Sequence, residues 1–337
     1  MLKYIAGPCA AETEQQVLAV AQALQPCKID FFRAGLWKPR TSPHSFQGVG
    51  ERGIEWMTKA RDMFGLKICT EVATTQHVQL CRDAGFDALW IGARTVSDPF
   101  AVQALCDSLK GYAGVVMVKN PISADVDLWI GAISRLRKVG IENIVAVHRG
   151  VNQNAYQNGN MRNDAAWVMP IELKRTMPDI PVVCDPSHIT GNAALVPIIA
   201  QQAMQIGLDG LMIEVHCNPH EALSDAMQQL TPEQYRQLID GLNVRTQNKA
   251  EKDLLQMREQ INEIDNQIWA LIEQRMTISK HIGEIKQQHN MPVLQPERYQ
   301  HILHKRLQWA RQHNIEEQLV NTIMQAIHEA SVKKQIQ

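Results

Sequence analysis

Up to about residue 240, short runs of β-branched and apolar residues alternate with longer amphipathic stretches. Eight such runs stand out, at 3–7, 29–34, 66–71, 88–92, 115–119, 144–148, 181–185 and 210–215, each followed by polar or Gly/Pro-rich residues. Strand-length runs that alternate with helical stretches predict βα units and a parallel sheet. Eight units predict a closed (β/α)8 TIM barrel, an α/β fold, over residues 1–242.

Beyond about Leu254 the period changes. Ile261, Ile264, Ile268, Leu271, Arg275, Ile278, Ile282 and Ile285 alternate spacings of three and four, as one seam of a helix does. The helix predicted from that seam runs to about Gln288. At 1.5 Å per residue it spans roughly 50 Å, too long for the outer ring of a barrel. Gly283 lies inside it and is tolerated at modest cost. A Pro-bearing break at 290–292 ends it, and helices over 298–313 and 316–335 complete an all-α helical bundle domain over 253–337. The polar stretch 243–252, without apolar period, reads as the linker.

Composition narrows the class without changing the fold. Hydrophobic residues at 45%, charged residues at 20% and a formal net charge of -1 describe an ordinary soluble chain, with no electrostatic footprint for nucleic acid or a membrane surface. The first residues form a strand pattern with neither a basic leader nor a long apolar run, so the expected location is cytoplasmic. A strand starting at residue 3 also leads us to expect no N-terminal regulatory domain. Seven cysteines without a Cys-x-x-Cys pair read as reduced thiols.

In a parallel barrel the C-terminal ends of all eight strands open onto one face, so reactive residues placed there converge. Those ends offer Cys9; Arg33 and Lys38; Glu71; Arg94; Lys119; His148 and Arg149; Asp185 and His188; Glu214 and His216. Any one of these is as readily a solvated charge as a functional group, but several Arg and Lys at one mouth suit an anionic, phosphorylated substrate. Cys9, His188, Glu214 and Asp225 can converge there too, and such a mixed sulfur, nitrogen and oxygen set suits a divalent first-row metal better than magnesium. Spacing alone equally allows Cys9 to be a small buried residue in a tight turn.

The strings GPCA at 7–10, FRAG and KPRTSPHSFQG at 32–48, IGAR at 91–94, VKN at 118–120, VHRG at 147–150, DPSH at 185–188, EVH at 214–216 and LSDAMQQL at 223–230 resemble the successive motifs of type I microbial 3-deoxy-D-arabino-heptulosonate 7-phosphate synthases. The resemblance covers the whole barrel. It implies condensation of phosphoenolpyruvate with erythrose 4-phosphate on a divalent metal ion, with manganese expected and iron, cobalt or zinc as alternatives. It implies Cys9, His188, Glu214 and Asp225 as metal ligands. Arg33, Lys38, Arg94 with its neighbour Ala93, Lys119 and Arg149 would hold phosphoenolpyruvate, and Arg40, Thr41 and Ser42 would receive the sugar phosphate. Lys119, Glu71 and a metal-bound water are candidate proton carriers. The rival within this chemistry is a synthase for a five-carbon sugar phosphate; KPRTS and the second domain favour the four-carbon one.

In the second domain, Arg275 occupies a seam position between Leu271 and Ile278, where a charge is costly unless paired or functional. Lys286, eleven residues on, falls about 20° away around the helix, so both cations project to nearly the same side and can share one anion. Arg258 is about 100° round from Arg275, which suits a reach into a partner subunit. LLQMREQINEIDNQIWALIEQRM, IGEIK, PERY and EASVKKQ resemble the all-helical chorismate mutases over 253–337. The resemblance implies that Arg258, Arg275, Arg298 and Ser331 bind substrate, that Lys286 and Gln335 stabilise the transition state, and that the domain forms an intertwined homodimer or a larger assembly. Tyr299 and Gln295 depart from the glutamate and aspartate common in that family.

The combined expectation is a bifunctional synthase and mutase acting on small molecules, in which the mutase domain also senses prephenate or chorismate and restrains the synthase. The alternative is an active synthase attached to a non-catalytic helical ligand-sensing or dimerisation module.

Overall fold

The computed structural model describes residues 3–39, 44–152, 161–243 and 251–336. Arg40, Thr41 and Ser42, and most of the expected linker, lie outside the described residues. The chain forms two compact units, Met1–Thr246 and Gln247–Gln337.

Among the described residues the first unit contains ten strands: β1 (Lys3–Gly7), β2 (Phe31–Arg33), β3 (Ile68–Val72), β4 (Ala88–Ile91), β5 (Val115–Lys119), β6 (Ile144–His148), β7 (Val151–Asn152), β8 (Asn163–Asp164), β9 (Val182–Cys184) and β10 (Gly210–Glu214). Eight of them close a parallel barrel in the order β1-β10-β9-β6-β5-β4-β3-β2, while β7 and β8 form a separate antiparallel pair. The eight runs read from the sequence are these eight barrel strands.

Alternation along each strand fixes what faces where. Ile5, Phe31, Cys69, Trp90, Met117, Val145, Val147, Val183 and Met212 pack together as one small cluster, the barrel interior. Their neighbours Tyr4, Ala6, Phe32, Ile68, Leu89, Val116, Ala146, Val182 and Leu211 belong to the larger cluster between sheet and helices. Both faces are buried, so these strands read as continuous apolar runs.

Among the described residues ten α-helices follow the strands: α1 (Glu14–Leu24), α2 (Arg52–Phe64), α3 (Thr75–Asp83), α4 (Ala93–Val96), α5 (Pro99–Ser108), α6 (Val126–Lys138), α7 (Val168–Thr176), α8 (Pro186–Thr190), α9 (Val196–Ile206) and α10 (Pro232–Gly241). Their starts are coded locally. Thr13, Thr74, Asp98, Asp125 and Asp185 each accept a first-turn backbone N–H, and Thr231 with Gln234 forms a reciprocal capping box.

The second unit is three helices: α11 (Glu251–Gln288), α12 (Pro296–Gln312) and α13 (Glu317–Ile336). α13 packs on both α11 and α12. Within the one chain the seam of α11 stays largely open: Ile261, Ile264, Ile268, Leu271, Ile278, Ile282 and Ile285 are all exposed, Leu271 at 63%. No helix among the described residues is long and apolar enough to cross a membrane.

Candidate active site

The alternation that fills the barrel interior carries on to its C-terminal mouth. Two residues beyond Phe31, Cys69, Trp90, Met117, Val147, Val183 and Met212 stand Arg33, Glu71, Gly92, Lys119, Arg149, Asp185 and Glu214. One inward-facing register therefore delivers six charged groups and a glycine to a single ring. Buried charge costs several kcal/mol per ion unless it is compensated. Here Arg33 Nη2 meets Glu214 Oε1 at 3.0 Å, and Lys119 Nζ meets Asp185 Oδ2 at 2.8 Å. The Arg33 guanidinium also lies 4.9 Å from the centre of the Trp90 ring. Its Nε and Nη1 are buried without an acceptor, a demand that the oxygens of an anionic ligand would meet.

Cys9 follows β1, and Asp225 stands in the loop after β10 with a left-handed φ of 50°. Cys9 Sγ and one carboxylate oxygen each from Glu214 and Asp225 lie within 4.8 Å of one another. His188 stands beside this group, its Nε2 3.7 Å from Glu214 Oε1 and its Nδ1 2.8 Å from Asp185 Oδ2. Burial first, then Glu214, pushes the Cys9 thiol up to about 12, against the pull of Lys38, whose Nζ is 3.0 Å from the sulfur. Burial opposes the charge on Asp185, but His188, Lys119 and Arg33 outweigh it and hold that carboxyl well below its usual range. Burial keeps the His188 imidazole neutral-leaning, with its pKa below the ordinary value. A thiol, two carboxylates and an adjacent imidazole of low basicity form a donor set that fits a first-row divalent cation, whose charge would favour the thiolate.

Four polar residues without a role in the sequence reading surround this group. Gln228 Nε2 donates to Glu214 Oε2 at 2.7 Å, and Gln229 Oε1 accepts from Cys9 N at 3.0 Å while its Nε2 donates to Ser224 O. Glu12 accepts from Leu223 N at 2.8 Å, two residues before Asp225. Arg162 Nη1 lies 3.2 Å from Asp225 Oδ1. The two glutamines were visible as part of the LSDAMQQL string; Glu12 and Arg162 carried no local signal.

Lys38, Arg94, Lys119, Arg149, Arg162 and His188 line a cavity of roughly 230 Å³ together with Glu71, Ala93 and Asp225. Glu71 Oε2 accepts from Trp90 Nε1 at 3.0 Å, and Arg94 Nη1 donates to Pro39 O at 3.4 Å. Arg149 is aimed by its neighbours: its N donates to Asn120 Oδ1 at 2.7 Å, and its Nη1 to Asn163 Oδ1 at 3.2 Å. Burial, with the charges of Arg162 and Arg94 working against Asp185, lowers the Arg149 guanidinium to about 10. His148, one residue earlier, faces the other way. It lies between Trp129 and Trp167 and meets Ala165 O through Nε2 at 2.6 Å.

In the helical unit, Arg275 Nη1 donates to Ser331 Oγ, and Lys286 Nζ donates to Gln335 Oε1 at 3.0 Å and Val293 O at 2.8 Å. Ser331 and Gln335 are one turn apart on α13, so the two cations of α11 address one face of that helix. Lys286 and Ser331 are buried, whereas Arg258 and Arg298 are exposed. Tyr299 stacks on His328, with ring centroids 4.2 Å apart.

Comparison with known proteins follows the division into two units. Residues 2–249 match the DAHP synthetase I family, and residues 257–336 match chorismate mutase type II. A phospho-2-dehydro-3-deoxyheptonate aldolase of Thermotoga maritima is 30% identical over 71% of this chain and 68% of its own length. A 2-dehydro-3-deoxyphosphooctonate aldolase of Wolinella succinogenes is 27% identical over 71% of this chain and 97% of its own. The crystal structure of a Thermotoga maritima DAHP synthase superposes with a TM-score of 0.64 at 28% identity, covering 71% of this chain and 67% of that one. The chain belongs to the DAHP synthetase I family and is an enzyme in which a DAHP synthase domain precedes a chorismate mutase domain.

Proposed function

We propose that the barrel condenses phosphoenolpyruvate with erythrose 4-phosphate and water to 3-deoxy-D-arabino-heptulosonate 7-phosphate and phosphate, and that the helical unit rearranges chorismate to prephenate. The convergence of a thiol, two carboxylates and several cations around one cavity carries the first half. Arg33, Lys38, Arg94, Lys119 and Arg149 fix the phosphate and carboxylate of phosphoenolpyruvate, so that its C3 faces the aldehyde carbon. Cys9, His188, Glu214 and Asp225 would hold a divalent ion there, manganese foremost, which would supply Lewis-acid polarisation of the aldehyde oxygen. Ala93 stands beside Arg94 at the phosphate, and Arg40, Thr41 and Ser42 receive the sugar phosphate. Water then adds at C2 and phosphate leaves, with Lys119 or Glu71 moving the proton.

In the helical unit no nucleophile is required, because the rearrangement is pericyclic. Arg275, with Ser331, Arg298 and the partner-directed Arg258, clamps the carboxylates. Lys286 and Gln335 donate to the ether oxygen as its bond lengthens. The open seam of α11 supports pairing with a second copy, since seven exposed apolar side chains on one helix are costly in water. Prephenate or chorismate bound in this unit restrains the synthase; addition of prephenate to the synthase assay should lower the rate, and an unchanged rate at saturation would remove the sensing role.

Phosphate release from phosphoenolpyruvate tests the synthase directly. It should need erythrose 4-phosphate rather than arabinose 5-phosphate, stop with chelator, return with manganese and be lost in Cys9→Ala. Release without metal would overturn the ligand set. The stacking of Tyr299 on His328, where a carboxylate is common in mutases, favours the rival reading of a non-catalytic helical module. Loss of chorismate absorbance with purified protein decides between the two.

A further inference from the structure

Arg162 lies on none of the motifs that mark the barrel, yet its side chain lines the same cavity as Arg94, Lys119 and Arg149. Its backbone N donates to Thr190 O at 3.0 Å, just before β8. Its stem crosses Gly191, where an added Cβ would stand 2.6 Å from Arg162 Cβ and where φ is +64°. The backbone on both sides thus fixes the base of the side chain. Nη1 is held by Gln228 Oε1 at 2.9 Å and stands 3.2 Å from Asp225 Oδ1, while the side chain remains 38% exposed. Among the described residues, its Nε and Nη2 have no acceptor.

The other cations of the mouth are differently committed. Arg33 gives Nη2 to Glu214 and Cys9 O and does not line this cavity, while Lys38 meets Cys9 and Lys119 meets Asp185. Among the described residues Arg94 and Arg149 bond to neutral oxygens, Pro39 O, Gly150 O and Asn163 Oδ1. A phosphate monoester dianion presents three terminal oxygens, and two forked guanidiniums do not saturate them. Among the described residues Arg162 is the remaining guanidinium on this cavity, and its Nε and Nη2 meet no acceptor there. Its charged partner among the described residues, Asp225, is also the carboxylate that a metal ion would claim, which would weaken its hold on Arg162.

We infer that Arg162 is a further phosphate-binding residue of the barrel, completing with Arg94 and Arg149 a three-arginine subsite for a phosphate monoester and for the inorganic phosphate it releases. The inference rests on the proposed synthase reading and names the group that this part of the cavity takes. Gln228 keeps Arg162 at the rim, so that it exchanges Asp225 for phosphate oxygens without moving its backbone.

Calorimetry on the full chain tests it, with inorganic phosphate, phosphoenolpyruvate and manganese titrated separately. Arg162→Gln should weaken both phosphate ligands at least about tenfold, the usual cost of a charge-assisted bond, and leave manganese affinity within about twofold. Arg162→Lys, which keeps the charge and loses the fork, should recover part of that loss. Unchanged phosphate affinity with weakened manganese binding would overturn the inference and make Arg162 a positioning residue for Asp225. If the variants fail to fold, wild-type protein treated with phenylglyoxal gives the same decision: phosphate should protect Arg162 from modification, and equal modification with and without phosphate overturns the inference. Wild-type protein that binds neither phosphate ligand would instead sink the synthase reading itself.

Discussion

Glu12 accepts the backbone N–H of Leu223 at 2.8 Å, and this bond ties the turn after Cys9 to the loop that carries Asp225. The same carboxylate also accepts from Ser224, and His216 Nε2 stands 3.9 Å from it. Burial raises the Glu12 pKa and those backbone bonds oppose the rise. Asp225 itself sits at a positive φ that only a well-anchored loop sustains. Glu12→Ala therefore should cost about tenfold in manganese affinity although it removes no ligand, as loss of an outer-shell partner commonly does. Calorimetric titration of the metal checks this, and wild-type affinity in the variant would show that the loop holds its shape unaided.

The barrel was legible because its strands are buried on both faces and read as eight unbroken apolar runs. The phase of α11 was legible too: a spacing of eleven put Arg275 and Lys286 on one side, and they meet Ser331 and Gln335, one turn apart. What escaped were residues whose purpose lies in distant partners. Gln229 meets Cys9 across 220 positions, and Gln228 joins Glu214 to Arg162. No local period encodes such pairings. The seam of α11 marks another limit, since periodicity reports an apolar face without saying whether its cover comes from the same chain.

Gly92 offers a way to ask what Glu71 does without touching its chemistry. A Cβ at position 92 would stand 2.1 Å from Glu71 Oε1, the far end of a side chain that can swing aside. The backbone there, at φ -72° and ψ 158°, accepts alanine without strain. Gly92→Ala should fold and displace the Glu71 carboxylate from Trp90 Nε1. If Glu71 moves the proton, kcat for phosphate release falls by about a hundredfold, and Glu71→Gln falls with it. Retention of wild-type kcat in both variants would remove Glu71 as the proton carrier.

His148 predicts an acid limb in the stability of the barrel. Burial lowers its pKa to about 4, from an unfolded value near 6.5. The unfolded chain therefore binds the extra proton between those two values and the folded one does not. Stability is full above pH 6.5 and declines as pH falls towards 4, by about 2 kcal/mol at pH 5. Replacing the imidazole by a group that does not titrate, His148→Gln, should shrink the drop in Tm between pH 7 and pH 5 by on the order of 5 °C. An equal drop in wild type and variant would assign the acid limb to other groups.

Gly283 carries the least expected of these outcomes. By helix propensity alone, alanine inside α11 should stabilise the helix by about 1 kcal/mol. The packing says the reverse. A Cβ at 283 would lie 2.7 Å from both Cα and O of Gln335, which are backbone atoms of α13 and have no rotamer to yield. Overpacking of this kind costs about 1–3 kcal/mol and is relieved only by moving α13 outward. That shift acts on Gln335, whose Oε1 accepts from Lys286, and on Ser331 one turn earlier, which accepts from Arg275. Gly283→Ala should consequently lower the thermal stability of the helical unit and depress chorismate turnover more than chorismate binding if, as proposed, the Lys286–Gln335 pair acts on the breaking bond. Calorimetric unfolding and the split between kcat and KM check the two halves. A variant more stable than wild type would mean that propensity outweighs the contact with α13.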